Sequence, residues 1–541
     1  MLPLRTTLAL ALLAFPASTQ VVQLAKFSGS TTNAADLYGV SVDLEGGRAL
    51  VGSPSNGDQA STAGAAFVHE RGANGAWTEA AVLYASDAVQ SAALGQSVSL
   101  SGDRALVGAT FANGLATDSG AAYVYERQPD GSWVEVAKLT ASDGANSDRF
   151  GFSVALDGDI ALVGAWRDDS AGSITGAAYT YERQGDGSWV QTDKLTANDA
   201  DSLAAFGYAV ALDGERALIG SETWGSNQGS AYVFERQPGG TWTQVAQLFA
   251  SDGKGLDRFA RSVALDGDRA VIGAPEGEAV GVPFSDDPGA AYVFERQPGG
   301  GWLQTARLES GDLEPEDDFG SAVAVDGDRL VVGARDEDSG GNNSGKAYVF
   351  EFDGSAGWTQ SDVLLPLDTQ SGDLFGVAVA LASDRILVGA RNEDTNGSNS
   401  GAAYTFDVEA LSGSTSSLSL SAGGAQTWDI DAGQPFAFGF YLVLGSTSGT
   451  SPGFPLSGGL ELPLVLDPYL DFTLNNANLA PLNNSFGVFN GAGFAQGGFA
   501  LPAGSPAALA GTTLHHAFFG VSPQTFAIEV VSAPLALQLL P

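Results

Sequence analysis

FGFSVALDGDIALVGA, Phe150–Ala165, followed after a loop of about ten residues by GAAYTYER, Gly176–Arg183, decides the fold. The pattern returns roughly every 56 residues, with copies beginning at Leu37, Leu94, Phe150, Phe206, Phe259, Phe319 and Phe375. Within one copy, Phe152 to Leu156 alternates as a strand, and Asp157-Gly158 reads as a tight turn that wants positive φ at both central positions. Ile160 to Gly164 is almost wholly apolar, as a strand covered on both faces should be. Ala177 to Glu182 and Trp189 to Thr196 supply strands three and four. Four strands per unit at a fixed period predict a β-propeller with seven blades.

The seventh copy ends at Phe406 without a fourth strand. Leu24-Ala25-Lys26-Phe27 matches Val136-Ala137-Lys138-Leu139, the fourth strand of the second copy. The N-terminal segment is therefore expected to complete blade seven and close the ring, which removes two unpaired sheet edges. Six tryptophans recur at the start of strand four, Trp77, Trp133, Trp189, Trp242, Trp302 and Trp358. An aromatic present in nearly every unit belongs to the packing of the unit.

The units resemble FG-GAP repeats, the blades of the integrin α-chain propeller. The residues that carry the resemblance are Phe150-Gly151 with Val163-Gly164-Ala165, and their counterparts such as Phe319-Gly320 with Val332-Gly333-Ala334. The secreted bacterial variety, with a short first turn, is the nearer match. The resemblance implies an extracellular seven-bladed propeller that serves adhesion or binding. The calcium loop between strands one and two of integrin-type blades has shrunk here to Asp157-Gly158-Asp159. Such a turn cannot wrap the 6 to 8 oxygens that calcium takes.

Composition narrows the function. The net charge is −39, from 24 basic and 63 acidic residues. This opposes nucleic acid and anionic membrane surfaces as partners. There is no cysteine and there are only three histidines, His69, His515 and His516. Thiolate chemistry is absent, and most zinc sites are ruled out. His69 stands where other copies carry Tyr or Phe, and His515-His516 point to opposite faces of one strand, so both readings are structural. Residues 1–20 read as a signal peptide, with Arg5, an apolar run from Leu8 to Phe15 and small residues near Ala17. No other stretch is apolar enough to span a membrane.

The domain reading is a signal peptide over 1–20, the propeller over 21–410 and a C-terminal β-sandwich-like module over 411–541. The whole is all-β. In the last part Phe436, Phe438, Phe440, Leu442 and Leu444 alternate, which predicts a strand with those residues on one face.

In a four-stranded meander the 1→2 and 3→4 turns share one face, and here they are short. The long and variable 2→3 and 4→1 connections share the other, which is the candidate binding face. Its loops are acidic: Asp312, Glu314, Glu316, Asp317, Asp318, Asp336, Glu337, Asp338, Glu393 and Asp394. Such residues also make turns readily, and solvated loops are the plain reading. The sharper reading is calcium, the one cofactor the spacing admits. Asn392, Asp394 and Asn396, followed by Gly397, have the oxygen spacing of a calcium loop, and Asp336 with Asp338 begins a looser one. Neither has the acidic residue at position twelve. Phe111, Trp166, Trp224 and Phe284 lie in the 2→3 loops of blades two to five, where the repeat does not demand an aromatic. They either pack on their own loops or meet a ligand.

No nucleophile elbow, phosphate loop or histidine metal motif is present. The expectation is a secreted, monomeric binding or adhesion protein with an extracellular protein or carbohydrate partner. The alternatives are a structural envelope or matrix component without a discrete ligand, and a carbohydrate-active enzyme using paired carboxylates.

Overall fold

The computed structural model describes residues 21–541 apart from 200, 224–227, 254–256, 277–287, 355, 384, 409–410, 414–416, 434–435, 451–452, 457–459 and 533–534. Among the described residues the fold is all-β, with 51% strand and one α-helix. It divides into two compact units. One comprises Ala25–Gly72 and Trp77–Phe406; the other comprises Asp407–Pro541, Ala73–Ala76 and the residues up to Leu24.

Seven four-stranded antiparallel sheets follow one another in sequence. Blade three has strands Ser153–Asp157, Ile160–Ala165, Ala177–Arg183 and Trp189–Leu195. Blade seven has Phe375–Ala382, Arg385–Ala390 and Ala402–Asp407, and its fourth strand is Val22–Phe27 from the N-terminus. First strands of neighbouring blades touch all the way round, blade seven meeting blade one. They are the innermost strands and line the axis.

A backbone stitch holds each blade to the next. The glycine that opens GAAYTYER forms a parallel bridge to the phenylalanine that opens the following unit, as in Gly120 to Phe150 and Gly176 to Phe206, and Gly401 to Tyr38 completes the ring. These glycines are obligatory. Gly120 has φ +89°, and a Cβ there would lie 1.9 Å from the Phe150 carbonyl oxygen. No side chain fits so close an approach.

The first turn differs from the sequence expectation. Asp157 pairs with Ile160, so the two loop residues are Gly158 and Asp159. Only Gly158 has positive φ, +55°. One left-handed residue, at the first central position, suffices for this hairpin. The turn also joins blades: Gly214 N donates to Asp157 Oδ2 at 2.7 Å, and Arg104 Nη1 donates to Gly158 O at 2.8 Å.

The six tryptophans do pack between blades. Trp133 lies against a cluster that joins Leu50, Val68 and Leu83 of blade one to Leu94, Val107 and Tyr123 of blade two, and Trp189 does the same between blades two and three. His69 has taken an aromatic position. Its ring stacks on Phe27 at 4.4 Å with an interplanar angle of 5°, and its Nε2 lies 2.7 Å from the Tyr38 hydroxyl.

Burial lowers the His69 imidazole to about 4. In the unfolded chain it titrates near ~6.5, so between these values unfolding takes up a proton. Its contribution is whole above pH 6.5 and is lost as the pH falls towards 4. His69→Phe restores the aromatic of the other blades and removes this term, while every other titration is kept. Between pH 7 and 5 the wild type should lose roughly 1–2 kcal/mol more stability than the variant. Melting temperatures of both proteins across that range check it; parallel curves would show that His69 is not held neutral.

The C-terminal unit is a two-sheet sandwich. One sheet has four strands, with Gly424–Asp431 and Phe494–Leu501 at its centre; the other has Phe440–Ser446 and Thr513–Val521 at its centre. Trp428, Ile430 and Phe499 from the first meet Tyr441, Val443 and Phe518 from the second in one core. The expected strand begins later than its alternation suggested. Phe436 reaches the sandwich core from ahead of the strand, Phe438 sits in a turn at φ +64° and is exposed, and within the strand Tyr441 and Val443, not Leu442 and Leu444, face that core. Leu444 packs on the other side of the sheet. A helix, Pro468–Asn475, was not expected. Asp467 caps it by accepting from Leu470 N, and Pro468 opens it. Burial opposes the charge, but bonds from Leu470, Thr447 and Ser448 hold the Asp467 carboxyl well below the usual range. His516 is fully buried against Trp428 and Phe499, with the Tyr469 hydroxyl 2.9 Å from Nε2. No described helix is long and apolar enough to cross a membrane.

Candidate functional site: the long-loop face of the propeller

Two ionic arrangements organise this face, one inside five of the blades and one at the axis. The first is built on a cation from strand four. In blade three, Lys194 Nζ donates to Asp143 Oδ2 at 2.6 Å, Asp168 Oδ2 at 2.9 Å and Ser170 Oγ at 2.8 Å. The ammonium lies 5.2 Å over the Tyr179 ring, whose hydroxyl donates to the same two carboxylates. Asp143 comes from the 4→1 connection entering the blade and Asp168 from its 2→3 loop, so one lysine ties both long loops to the sheet.

The arrangement recurs with substitutions. Lys138 holds Asp87 in blade two, Arg307 holds Asp252 in blade five, and Gln247 bonds Asp199 in blade four. In blade seven the N-terminal strand supplies the cation: Lys26 Nζ reaches Asp368 at 2.6 Å and Glu393 at 2.8 Å. In blade six the lysine has moved to strand three, and Lys346 meets Asp312 and Glu337, each at 3.0 Å.

This places the calcium candidates. Glu337 and Glu393, the residues between the expected ligands, turn inward to lysine and are buried. Asp338 Oδ1 accepts from Asn343 N and Asp394 Oδ1 from Asn399 N, each at 2.7 Å, within their own loops. Asp336 meets Arg335 at 3.2 Å and accepts from Asn343 Nδ2 at 3.1 Å. Asn396 donates its side chain to Thr32 Oγ1, and Asn392 bonds through its backbone to Asp373 O. No group of three or more acidic or histidine side chains converges on one point among the described residues. Much of the acidity read from the sequence is thus matched by cations inside the loops.

The second arrangement lies where the two inner strands of each blade end on this face. Trp166 follows strand two of blade three, and its ring meets Phe152 at 5.8 Å and Tyr208 of blade four at 6.0 Å; Phe152 and Tyr208 are 4.8 Å apart. Arg261 of blade five lies 5.2 Å over Tyr208 and pairs with Glu222 at 2.9 Å. Phe111 of blade two is 40% exposed, with the Arg149 guanidinium 4.0 Å above its ring. Trp166 therefore belongs to a cluster of three rings edged by the Arg261 guanidinium, and Phe111 pairs separately with Arg149. Phe152 and Tyr208 complete the cluster and went unread in the sequence, although each stands where other blades carry a small or polar residue such as Val40 or Ser321. Trp224 and Phe284 lie outside the described residues.

Two recesses of about 480 and 300 Å³ are on the opposite face. They are shallow and lined by the Glu215–Arg236 pair and the Pro238-Gly239-Gly240 turn, residues that recur from blade to blade. A feature of every unit carries no specificity.

Seven stretches of the chain, 21–69, 77–125, 133–181, 189–234, 242–294, 302–350 and 358–406, match the family model described as FG-GAP repeat. A crystal structure of Sqt1 from Chaetomium thermophilum is similar over 69% of this chain and 83% of its own, at 12% identity and a TM-score of 0.40. No curated protein matches the sequence.

Proposed function

Because the chain belongs to the FG-GAP repeat family, we propose that it is a secreted, extracellular binding protein whose propeller presents its long-loop face to a protein or carbohydrate partner. The family is generally non-enzymatic and typical of extracellular proteins, and its propellers typically bind. One observation carries the choice of face. The aromatic and basic residues that the repeat does not require gather at the axial end of the long loops, while the short-turn face repeats itself. Trp166 is the anchor of this reading, since it joins two blades through Phe152 and Tyr208.

A glycan array and a display of extracellular proteins, each read with and without calcium, test it. Trp166→Ala should lower the affinity for whatever binds by about 2 kcal/mol, the loss typical of an interface aromatic. The control is Val190→Ala, on the exposed outer edge of blade three. Arg104→Ala is a poor control, because Arg104 latches blade two to the turn of blade three. Equal binding by wild type and Trp166→Ala would refute the assignment of the face.

A further inference from the structure

The axial mouth of the long-loop face concentrates positive charge in a strongly acidic protein. Most basic residues occupy recurrent positions, at the first turn, in the Glu-Arg pair or in the lysine clasp. Arg261, Arg335 and Arg391 do not. Arg335 and Arg391 follow directly on strand two of blades six and seven, Arg329–Ala334 and Arg385–Ala390. Arg261 directly precedes strand one of blade five, Ser262–Asp266. All three stand at the same end of the inner strands, and Arg261 lies 5.2 Å over the Tyr208 ring.

Their charges are incompletely matched. Arg261 gives Nη1 to Glu222, and Arg335 gives Nη2 to Asp318 and Nε to Asp336. Arg391 makes no ion pair with any described residue, and nor does Arg167, whose guanidinium lies 5.4 Å over Trp166. The carboxylate that acts on Arg391, Asp336, is already engaged by Arg335. Burial lowers the readiness of Arg391 to hold its proton, and the neighbouring Arg335 and Arg261 lower it further against the opposing pull of Asp336. Like charges gathered without counter-charge destabilise a fold. An anion that bridged them would remove that penalty.

We propose that this mouth binds the oxyanion of an acidic sugar residue, a carboxylate or a sulfate, held by Arg261, Arg335 and Arg391 while the sugar ring packs on Tyr208, Phe152 and Trp166. Guanidinium is the group suited to planar, two-pronged recognition of carboxylates and similar oxyanions. The tilted aromatic cluster beside it, with interplanar angles of 53–65°, offers ring faces that suit a sugar ring better than an extended acidic peptide. The net charge of −39 opposes a polyanionic chain wherever it runs within a Debye length, about 8 Å, of the acidic surface, so the ligand is a residue with a single charge, terminal or isolated. This inference rests on the binding role of the long-loop face.

The test is titration calorimetry of the full chain with three oligosaccharides of one backbone, ending in a uronate, in a sulfated sugar and in the neutral parent. Either acidic form should bind at least tenfold more tightly than the parent, and the preferred one distinguishes carboxylate from sulfate. Arg391→Gln should abolish at least tenfold of that preference. It should also raise the melting temperature of the unliganded protein, because it removes an unmatched charge and strands no carboxylate. Trp166→Ala should weaken acidic and neutral forms alike. Several results would overturn the proposal: no acidic preference, preference unchanged in Arg391→Gln, or an Asp/Glu peptide competing as strongly as the sugar. If Trp166→Ala still weakens the neutral sugar, only the anion site falls. If neither variant affects any binding, the role of the face falls with it.

Discussion

Removal of residues 21–30 should abolish the stable propeller. The strand Val22–Phe27 is the fourth member of the blade-seven sheet, so its loss leaves Ala402–Asp407 as an open edge in a closed ring. Two side chains add to the backbone pairing. Phe27 is 4% exposed, stacked on His69 and edge-on to Trp77 at 5.3 Å. Lys26 is the cation that ties Asp368 and Glu393 together. Truncation of a buried phenylalanine alone costs about 3–5 kcal/mol, and the buried Glu393 would lose its counter-charge. The deletion should lower the melting temperature by well over ten degrees or leave the protein aggregated. Since a variant that fails to fold is ambiguous, a synthetic peptide of residues 21–30 supplies the second arm. Added in trans, it should restore solubility by pairing with the open edge. Phe27→Ala, a milder lesion, should melt well below wild type. A deletion that melts like wild type, or a peptide without effect on an aggregating deletion, would show that the ring does not depend on this strand.

The ring could be read from the sequence because its signals are local and repeated. Alternation and the glycine before strand three recur seven times, Asp-Gly turns recur in four copies, and each such glycine before strand three marks a place where neighbouring backbones nearly touch, as at Gly120. Closure was legible because Lys26 and Lys138 stand in the same short pattern. The lysine clasp was not. Lys194 and Asp143 are 51 residues apart, and from sequence the acidic loops look free to bind a cation that a lysine already holds. The expected calcium spacing selected Asp336, Asp338 and Asp394, whereas the side chains that turn inward are Glu337 and Glu393 between them. The aromatic cluster at the mouth was half legible. Phe111 and Trp166 stood out as loop aromatics, but Phe152 and Tyr208 were absorbed into the strand pattern, and the arginines differ from blade to blade. In the C-terminal unit, Asp467-Pro468 is a proper helix start that an apolar context led to be read as strand and turn.

The clasp itself gives the second large effect. Asp168 is 2% exposed and is kept ionised by its neighbours: burial works to raise its carboxyl, but bonds from Ser170, Lys194 and Tyr179 hold it below the usual carboxylate range. Lys194→Met keeps the apolar stem over Tyr179 and removes only the ammonium. A buried charge stripped of its partner typically destabilises by about 3–5 kcal/mol. Here Ser170 and Tyr179 still donate to Asp168, and Lys194 is partly exposed, so the loss should be nearer ~2–3 kcal/mol. The partner change Asp168→Asn, combined with Lys194→Met, removes the stranded charge and should recover at least ~1 kcal/mol, a coupling that a double-mutant cycle measures directly. The pH dependence has a definite sign. A carboxyl lowered on folding stabilises above its unfolded value, near ~4, and that contribution is lost as the pH falls further. Lys194→Met should therefore flatten the acid limb of the stability curve below pH 4 and lower the plateau above it. Additive single-variant effects, or an acid limb unchanged by Lys194→Met, would mean that the lysine merely covers the loops. The sequence offers its own comparison in blade four, where Gln247 replaces the lysine and bonds Asp199 without an ion pair; the residue three beyond strand two, where blade three has Asp168, is Trp224 there, so a neutral donor serves where the loop supplies no buried carboxylate to match.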